Sequence, residues 1–435
     1  MTKRMIYLVW LGVLFLLIGK YIQLHTTVFI IYNSILACLY VLDVRLSPKK
    51  DSFNVERIYD PLFEIGKEKN IFIQISNYSD KEMAFQVKDT VPAELESGKD
   101  IMSALCAPGQ IVSVSYKVKP VKRGSYTFGD VFIRYKGVLG LCTREFRVSL
   151  QQNISVYPDL YPMKRYHLLA KKRLLDRHDN AVHKDKGMGT DFQYLREYTT
   201  DDEYRKINWK ATARAHKLIT GEYGIEKNQN VLICIDTGRV MISPAGKMTR
   251  LDHSIESALV LAQVAMDQGD RVGLLVFRDD VKLFLKPDKG PAQLNKILDA
   301  LYPLQPAYYE SSFHELVDYL QKHQRKRSFV CIFSHLRDEE SCKELAQILY
   351  PINKKHALMM VSILNPGLKD ELNRPAEDMH HLYIKAAASY RIDTERNASF
   401  LLSKMGITNV LTEPNHLTPE VVNRYIAIKK KMGIS

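Results

Sequence analysis

The sequence predicts a multidomain chain: a pair of apolar helices, then a β-sandwich, then an α/β domain of the doubly wound, Rossmann type. Three observations predict it. Two uncharged apolar runs open the chain, a stretch of alternating apolar and polar residues follows, and from residue 229 apolar runs alternate with segments of helical periodicity. With 435 residues the chain has room for two or three domains. The expected divisions are 1–50, 51–158, 159–228 and 229–435. A hydrophobic share of 46% and a charged share of 26% are those of a globular protein, so any membrane segment is local.

Residues 5–19 are uncharged and rich in Leu, Val and Ile, and the apolar character extends through Tyr21 and Ile22. Residues 28–42 are also uncharged, interrupted by Asn33 and Ser34 and closed by Asp43 and Arg45. Both runs are near the lower length limit for a membrane span, and together they predict a transmembrane helical hairpin. A signal peptide fits less well, because no small-residue cleavage site followed by polar sequence closes the first run. The box Ile35-Leu36-Ala37-Cys38 faintly resembles a lipoprotein cleavage site, but the chain stays apolar after Cys38. Lys3 and Arg4 before the hairpin and Arg45, Lys49 and Lys50 after it outnumber Lys20 and His25 between the runs. By the positive-inside rule, both ends face the cytoplasm. The expectation is a two-pass inner-membrane protein with cytoplasmic soluble domains.

The β-rich stretch shows the period of a half-buried sheet at Ile71, Ile73 and Ile75, and again at Val112, Val114, Tyr116 and Val118. Turn signals at 77–81, Val91-Pro92, Ala107-Pro108-Gly109 and Lys122-Arg123-Gly124 have the spacing of an immunoglobulin-like sandwich. Residues 122–141 are turn and strand sequence with no acid-base pair, and Gly137-Val138-Leu139-Gly140-Leu141 reads as a Gly-rich turn.

The net charge of +13 favours anionic neighbours. Basic residues are dispersed among acidic ones, without the arginine and aromatic blocks of a nucleic-acid reader, so membrane lipid is the expected partner and nucleic acid is not. Between 161 and 177, six basic residues accompany Leu168, Leu169, Leu174 and Leu175. This is a connecting helix whose basic face is either solvated or laid on anionic lipid. Six scattered cysteines form no CxxC pair, and most of them lie inside apolar runs and read as buried thiols in a reducing compartment.

The densest run of charge and aromatics comes next. It reads Gly189-Thr190-Asp191-Phe192, Leu195-Arg196-Glu197-Tyr198, Asp201-Asp202, Arg205-Lys206-Ile207-Asn208-Trp209-Lys210, Ala213-Arg214 and Glu222-Tyr223. On physical grounds Asp201, Asp202, Arg205 and Arg214 form a local ion-pair network around Trp209. A catalytic carboxylate pair is the rival reading, but no nucleophile or histidine stands at a spacing that completes a site. Beyond it, strands are expected at 231–235, 272–277, 329–333 and 358–364, with a short edge strand at 281–285. Helices are expected at 251–266, 312–320, 339–349, 390–405 and 419–432, a surface loop at 365–378, and a last strand at 407–411. Lys429, Lys430 and Lys431 read as charges that complement the last helix's dipole.

The order of motifs from Gly187 to Tyr223, just before an apolar strand ending in Asp236, resembles the signature of domain-of-unknown-function family 58. That resemblance spans roughly residues 122–411. It implies a von Willebrand A-like fold in the C-terminal part and an association with MoxR-type AAA+ ATPases. It also makes Asp191, Arg196, Tyr198, Asp201, Asp202, Arg205, Trp209 and Arg214 the candidate partner-binding or structural motif.

In a von Willebrand A domain the first strand ends in Asp-x-Ser-x-Ser, whose oxygens hold a divalent cation with a distant Thr and Asp. Here the loop is Asp236-Thr237-Gly238-Arg239-Val240, so two of those oxygens are missing. Ser312, or Ser311, stands in for the threonine, and His335 falls where the second aspartate belongs, with Asp338 slightly further on. A degenerate site of Asp236 and Ser312, with weak Mg²⁺ or Mn²⁺ binding at most, is expected. Arg239 beside it repels a cation.

Other catalytic motifs fail. His314-Glu315-Leu316-Val317-Asp318 ends in Asp where a zinc protease needs its second histidine, and there is no phosphate-binding loop or nucleophile elbow. The function expected is a non-enzymatic, membrane-anchored adaptor or scaffold, working with a MoxR-type ATPase in complex assembly or envelope stress and open to other membrane proteins. Two rivals remain. One is a metal-dependent hydrolase using Asp236, Asp201 and Asp202, and the other is an outward-facing scaffold in which Cys106 and Cys142 form a disulfide.

Overall fold

Between Lys3 and Leu46 the chain carries no acidic residue except Asp43, and in the computed structural model it forms helices α1 (Lys3–Gly19) and α2 (His25–Leu46). The structure describes residues 2–19, 25–98, 101–159, 161, 163, 165, 191–200, 202–224, 228–246, 248–335, 338–376 and 378–432. The chain divides into two compact units, Met1–Tyr157 and Pro158–Ser435. The proposed connecting helix at 161–177 lies almost wholly outside the described residues.

In the first unit α1 packs against α2, where Tyr32 donates to the Leu8 carbonyl at 2.7 Å. Within α2 one stretch, Thr27–Leu46, is long and apolar enough to cross a membrane, and the same length and composition suit a signal sequence. Asn33 sits in that stretch with its amide bonded to the Phe29 carbonyl one turn back.

Eleven strands follow: β1 (Phe53–Ile58), β2 (Leu62–Glu64), β3 (Lys69–Asn77), β4 (Met83–Asp89), β5 (Leu95–Ser97), β6 (Met102–Cys106), β7 (Ile111–Pro120), β8 (Gly124–Phe128), β9 (Val131–Lys136), β10 (Thr143–Val148) and β11 (Gln152–Tyr157). They form sheets ordered β1-β3-β7-β5, β10-β9-β4-β6 and β2-β11-β8. Strict alternation of buried and exposed residues along β1 and β4 turns one face of each strand inward. Ile71, Ile73 and Ile75 of β3 thereby share one core with Phe85 and Val87 of β4 and Ile133 of β9. Inside it Arg57 makes a two-pronged bond to Asp89, which also accepts from Tyr116.

The Gly-rich turn after β9 has a further role that its sequence does not reveal. Asp43, at the end of α2, accepts the backbone N–H groups of Leu139, Leu141 and Cys142 at 2.7–2.8 Å. A side chain at Gly137 would meet that carboxylate at 2.5 Å, so glycine is required for the approach. The end of α2 is thus fixed to the β10 side of the sheet rather than joined by a slack linker. All six cysteines are free thiols, and Cys106 donates to the Gln110 carbonyl.

The second unit begins with an antiparallel pair, β12 (Asp191–Glu197) and β13 (Ile219–Gly224), which brackets a short helix α3 (Trp209–Ala215). Next come β14 (Asn230–Asp236), α4 (Arg250–Asp267), β15 (Arg271–Phe277), β16 (Val281–Asp288), α5 (Pro291–Leu301), α6 (Phe313–His323) and β17 (Ser328–Phe333). The chain continues through α7 (Glu339–Lys355), β18 (Ala357–Ile363), α8 (Pro366–Asn373), α9 (Met379–Lys404), β19 (Thr408–Thr412) and α10 (Pro414–Met432).

Six strands form one sheet in the order β16-β15-β14-β17-β18-β19, parallel except for β16. Continuous apolar strands bury both faces. Val231, Ile233 and Ile235 meet α4, α5 and α10 on one side, while Leu232 and Cys234 meet α6, α7 and α9 on the other.

Several elements depart from the sequence expectations. The loop expected at 365–378 contains α8, because Asn365 caps the Gly367 N–H and Pro366 occupies the first helical position. The helix expected from Tyr390 starts at Met379, where Asp378 caps the His381 N–H. Helix α5, opened by Pro291 after Gly290, lies in a stretch for which no element was expected. Lys429 is not a dipole-complementing surface charge: it is 5% exposed and bonds Asp270 at 2.6 Å, alongside the Tyr425 hydroxyl.

Candidate functional site

In an open parallel sheet, ligands gather at the carboxyl ends of the strands where the order reverses. From β14 the chain crosses through α4 to β15 on one side, and later returns to β17 on the other. The reversal therefore lies between β14 and β17, and their ends carry Asp236 and Ser334.

Asp236 is fully buried. Its Oδ1 accepts the Gly238 N–H at 2.7 Å and the Ser311 hydroxyl at 2.6 Å, and its Oδ2 accepts the Ser334 hydroxyl at 2.5 Å. Ser334 is itself held by its N–H to the Val361 carbonyl, and Ser362 donates to the Ser334 carbonyl. A Cβ at Gly238 would meet Ser311 Oγ at 2.1 Å. The place where Asp-x-Ser-x-Ser puts its first serine is thus filled from the α5–α6 loop.

It is Ser311, not Ser312, that reaches the aspartate; Ser312 caps α6 by accepting the Glu315 N–H. A hard divalent cation asks for about six oxygens in open octahedral array. Here the carboxylate already takes three protein donors, one of them a backbone N–H that cannot ligate, so the residues present do not fit that ion. Among the described residues, no group of three or more His, Cys, Asp or Glu is placed to hold a metal.

His335, expected opposite Asp236, turns to a second buried cluster. Its Nε2 lies 3.1 Å from Glu395 on α9, and Glu395 is also 3.1 Å from Arg391 and 3.8 Å from Arg250. Burial pulls the His335 pKa below its ordinary value, more strongly than Glu395 raises it, so the imidazole is neutral at neutral pH. Burial also brings Arg250 down to about 10, which leaves it charged. Arg250 bonds the Ile363 and Val240 carbonyls, so the cluster spans the ends of three strands. Asp338 caps α7 by accepting the Ser341 N–H.

Around these buried groups the rim is aromatic and charged. Tyr308 is 88% exposed and Tyr309 52%, with the Arg278 guanidinium 4.5 Å above the Tyr309 ring. The loop is pinned by the Ala307 N–H to the Thr237 carbonyl and the Arg239 N–H to the Tyr309 carbonyl. Arg239 pairs with Glu310, so its charge is turned toward solvent rather than toward Asp236.

In the motif segment, the expected network around Trp209 is replaced by another. Asp202 accepts both guanidinium prongs of Arg196, at 2.7 and 2.5 Å, with Thr199 adding its N–H and hydroxyl. Those donors, Arg196 first, hold its carboxyl well below the usual range. Arg205 and Arg214 are exposed and have no ion pair among the described residues. Trp209 instead meets Tyr204 edge to face, centroids 5.7 Å apart, and both rings are more than half exposed. Tyr198 contributes its N–H to the Leu218 carbonyl. Asp201 and the side chain of Asp191 lie outside the described residues.

Glu395, Arg250 and Ser334 were not among the sequence candidates. The Arg391-to-Glu395 spacing of four was the one hint, and alone it reads as an ordinary surface pair.

Residues 194–374 match the family described as Protein of unknown function DUF58, as the motif indicated. A curated relative, the uncharacterized protein YeaD of Bacillus subtilis (strain 168), is 25% identical over 166 residues, covering 35% of this chain and 39% of its own length. The chain thus matches about two fifths of that relative. Among solved structures, the conserved hypothetical protein BatB from Bacteroides thetaiotaomicron is 13% identical over 47% of this chain and 100% of its own, with a TM-score of 0.31. Native alpha-2-macroglobulin from Escherichia coli, from domain MG7 to the C-terminus, is 20% identical over 26% and 17%, with a TM-score of 0.21.

Proposed function

We propose that this chain is a membrane-anchored, non-enzymatic adaptor whose α/β domain docks a protein partner on the rim at the carboxyl end of its sheet. The observation that carries the reading is the saturation of Asp236 by Ser311, Ser334 and Gly238. In place of an open carboxylate, the rim offers exposed Tyr308 and Tyr309 beside Arg239 and Glu310. Tyrosine and arginine are the side chains in which binding energy concentrates at protein interfaces.

In this reading the α/β domain is a von Willebrand A-like module that docks without a metal. The β-rich unit is an immunoglobulin-like sandwich, α1 and α2 make a two-pass anchor, and the soluble parts face the cytoplasm. The motif resemblance makes a MoxR-type AAA+ ATPase the first candidate partner, with other membrane proteins next.

The test is binding of the full chain, in lipid nanodiscs, to the purified MoxR-type ATPase of the same cell, with and without a trapped nucleotide. Measurable affinity that falls about tenfold or more when Tyr308 and Tyr309 become alanine supports the reading. No binding in either nucleotide state, or binding that depends on Mg²⁺ and is lost in Asp236→Ala, counts against it.

A further inference from the structure

The six-stranded sheet ends in two unlike edges. β16 carries Lys282, Lys286 and Pro287, and its register against β15 shifts twice. Lysines, a proline and bulges are the devices that keep an exposed edge from pairing with another chain.

At the opposite edge β19 has none of them. Its sequence Thr408-Asn409-Val410-Leu411-Thr412 is uncharged, it pairs β18 in unbroken parallel register, and no strand pairs its outer side among the described residues. One row of its backbone N–H and C=O groups therefore points away from the sheet.

What flanks that row is a slot. Helix α9 packs on one face of the sheet through Ala398 and Leu402, and α10 packs on the other through Leu417, Val421 and Tyr425. Between them lies a cleft of about 380 Å³ with Asn409–Thr412 along its floor. Arg396, Ser399, Phe400 and Ser403 of α9 line one wall, and Glu420 and Arg424 of α10 line the other. Glu420 pairs with Arg424, whereas Arg396 has no carboxylate partner among the described residues, so the cleft is net cationic.

We propose that β19 is a docking edge that takes an extended, acidic segment of a partner protein as a seventh strand. Main-chain bonds to β19 supply the affinity, and carboxylates on the segment meet Arg396 and Arg424, which supply the selectivity. The helices leave the edge open along its length but enclose it on both faces, which suits one strand rather than the edge of a second copy. The surface is separate from the Asp236 rim, and the inference stands without that reading.

The experiment uses the full chain in nanodiscs and labelled peptides of about six residues, the usual strand length, in which two adjacent Glu, pointing to opposite faces of the sheet, stand beside a central Val and the rest are Val or Thr. Matched peptides replace Glu by Lys, or the central Val by Pro. Fluorescence anisotropy is followed by hydrogen exchange on residues 408–412. The expected result is binding by the Glu peptide alone, slowed exchange at 408–412, and about tenfold weaker binding in Arg396→Gln/Arg424→Gln with an unchanged melting curve.

Three results overturn the proposal. One is no binding by the Glu peptide, and a second is equal binding by the Lys or Pro peptide. The third is slow exchange at 408–412 without peptide in a chain whose mass is that of a dimer, which would assign the edge to a second copy.

Discussion

The two ends of the α/β sheet bury carboxylates in opposite ways. At the amino end Asp270 meets the Lys429 ammonium, the Tyr425 hydroxyl and the Gln229 N–H, and so fastens the last helix to the loop before β15. At the carboxyl end Asp236 takes hydroxyls and an N–H from three loops, and beside it Glu395 keeps Oε2 without a hydrogen-bond partner among the described residues. The first arrangement is a staple. The second holds polar groups in the interior of the rim that carries the exposed tyrosines, and a structure tolerates imperfect pairing more readily where function is built.

The comparison breaks first at the staple. Lys429→Met leaves Asp270 buried without its cation, and removing one partner of a buried pair costs about 3–5 kcal/mol. Chemical unfolding of the full chain should show that loss, and the double variant Lys429→Met/Asp270→Asn should recover most of it. Equal losses in the single and double variants would mean that the ammonium's own hydrogen bonds to Asp270 and the Gln268 carbonyl, not relief of an uncompensated buried charge, decide the cost.

At the carboxyl end the effects are smaller. Gly238→Ser forces its Cβ into Ser311 Oγ, and overpacking of this kind costs about 1–3 kcal/mol. Placing a serine there is therefore expected to destabilise the domain and to leave Mg²⁺ binding undetected by calorimetry. Tight Mg²⁺ binding by this variant would show that the loop opens to a cation after all.

Acid separates the ends further. Burial lowers the pKa of His335 and brings that of His356 down to about 4, both below the 6.5 of the unfolded chain. The unfolded chain then binds more protons, so their contribution is complete above pH 6.5 and is lost as pH falls toward the folded values. Glu395 is opposed by burial but held down by His335, Arg250 and Arg391, so its own contribution goes only below pH 4.5. A melting series should decline in two windows, and His335→Gln should flatten the upper one. An unchanged upper window would place that titration at His356 and at His253, whose pKa burial also lowers.

Much of this was legible in the chain. The apolar runs at 231–235 and 329–333 read as strands and are strands buried on both faces, and Asp236 stood at the end of the first by position alone. What could not be read were partners separated by long stretches of sequence. Ser334 lies 98 residues from Asp236, Asp43 lies 96 residues from Leu139, and Lys429 lies 159 residues from Asp270. Local pattern carries no information on such pairs. The motif segment misled in another way: Arg196, Arg205 and Arg214 all stand near Asp202 in sequence, and it is Arg196, together with the turn at Thr199, that the carboxylate meets.

The smallest effect on stability is expected at the rim itself. Tyr308 is 88% exposed, so Tyr308→Ala removes almost no buried surface and should change unfolding by no more than about 0.5 kcal/mol. Its effect on partner binding should exceed its effect on folding, the reverse of Lys429→Met. That contrast separates a surface built for docking from one that merely tolerates aromatics. If Tyr308→Ala instead unfolds the domain as readily as a core substitution, the loop is a structural cap over Thr237 and Arg239, and the carboxyl end differs from the amino end in chemistry but not in purpose.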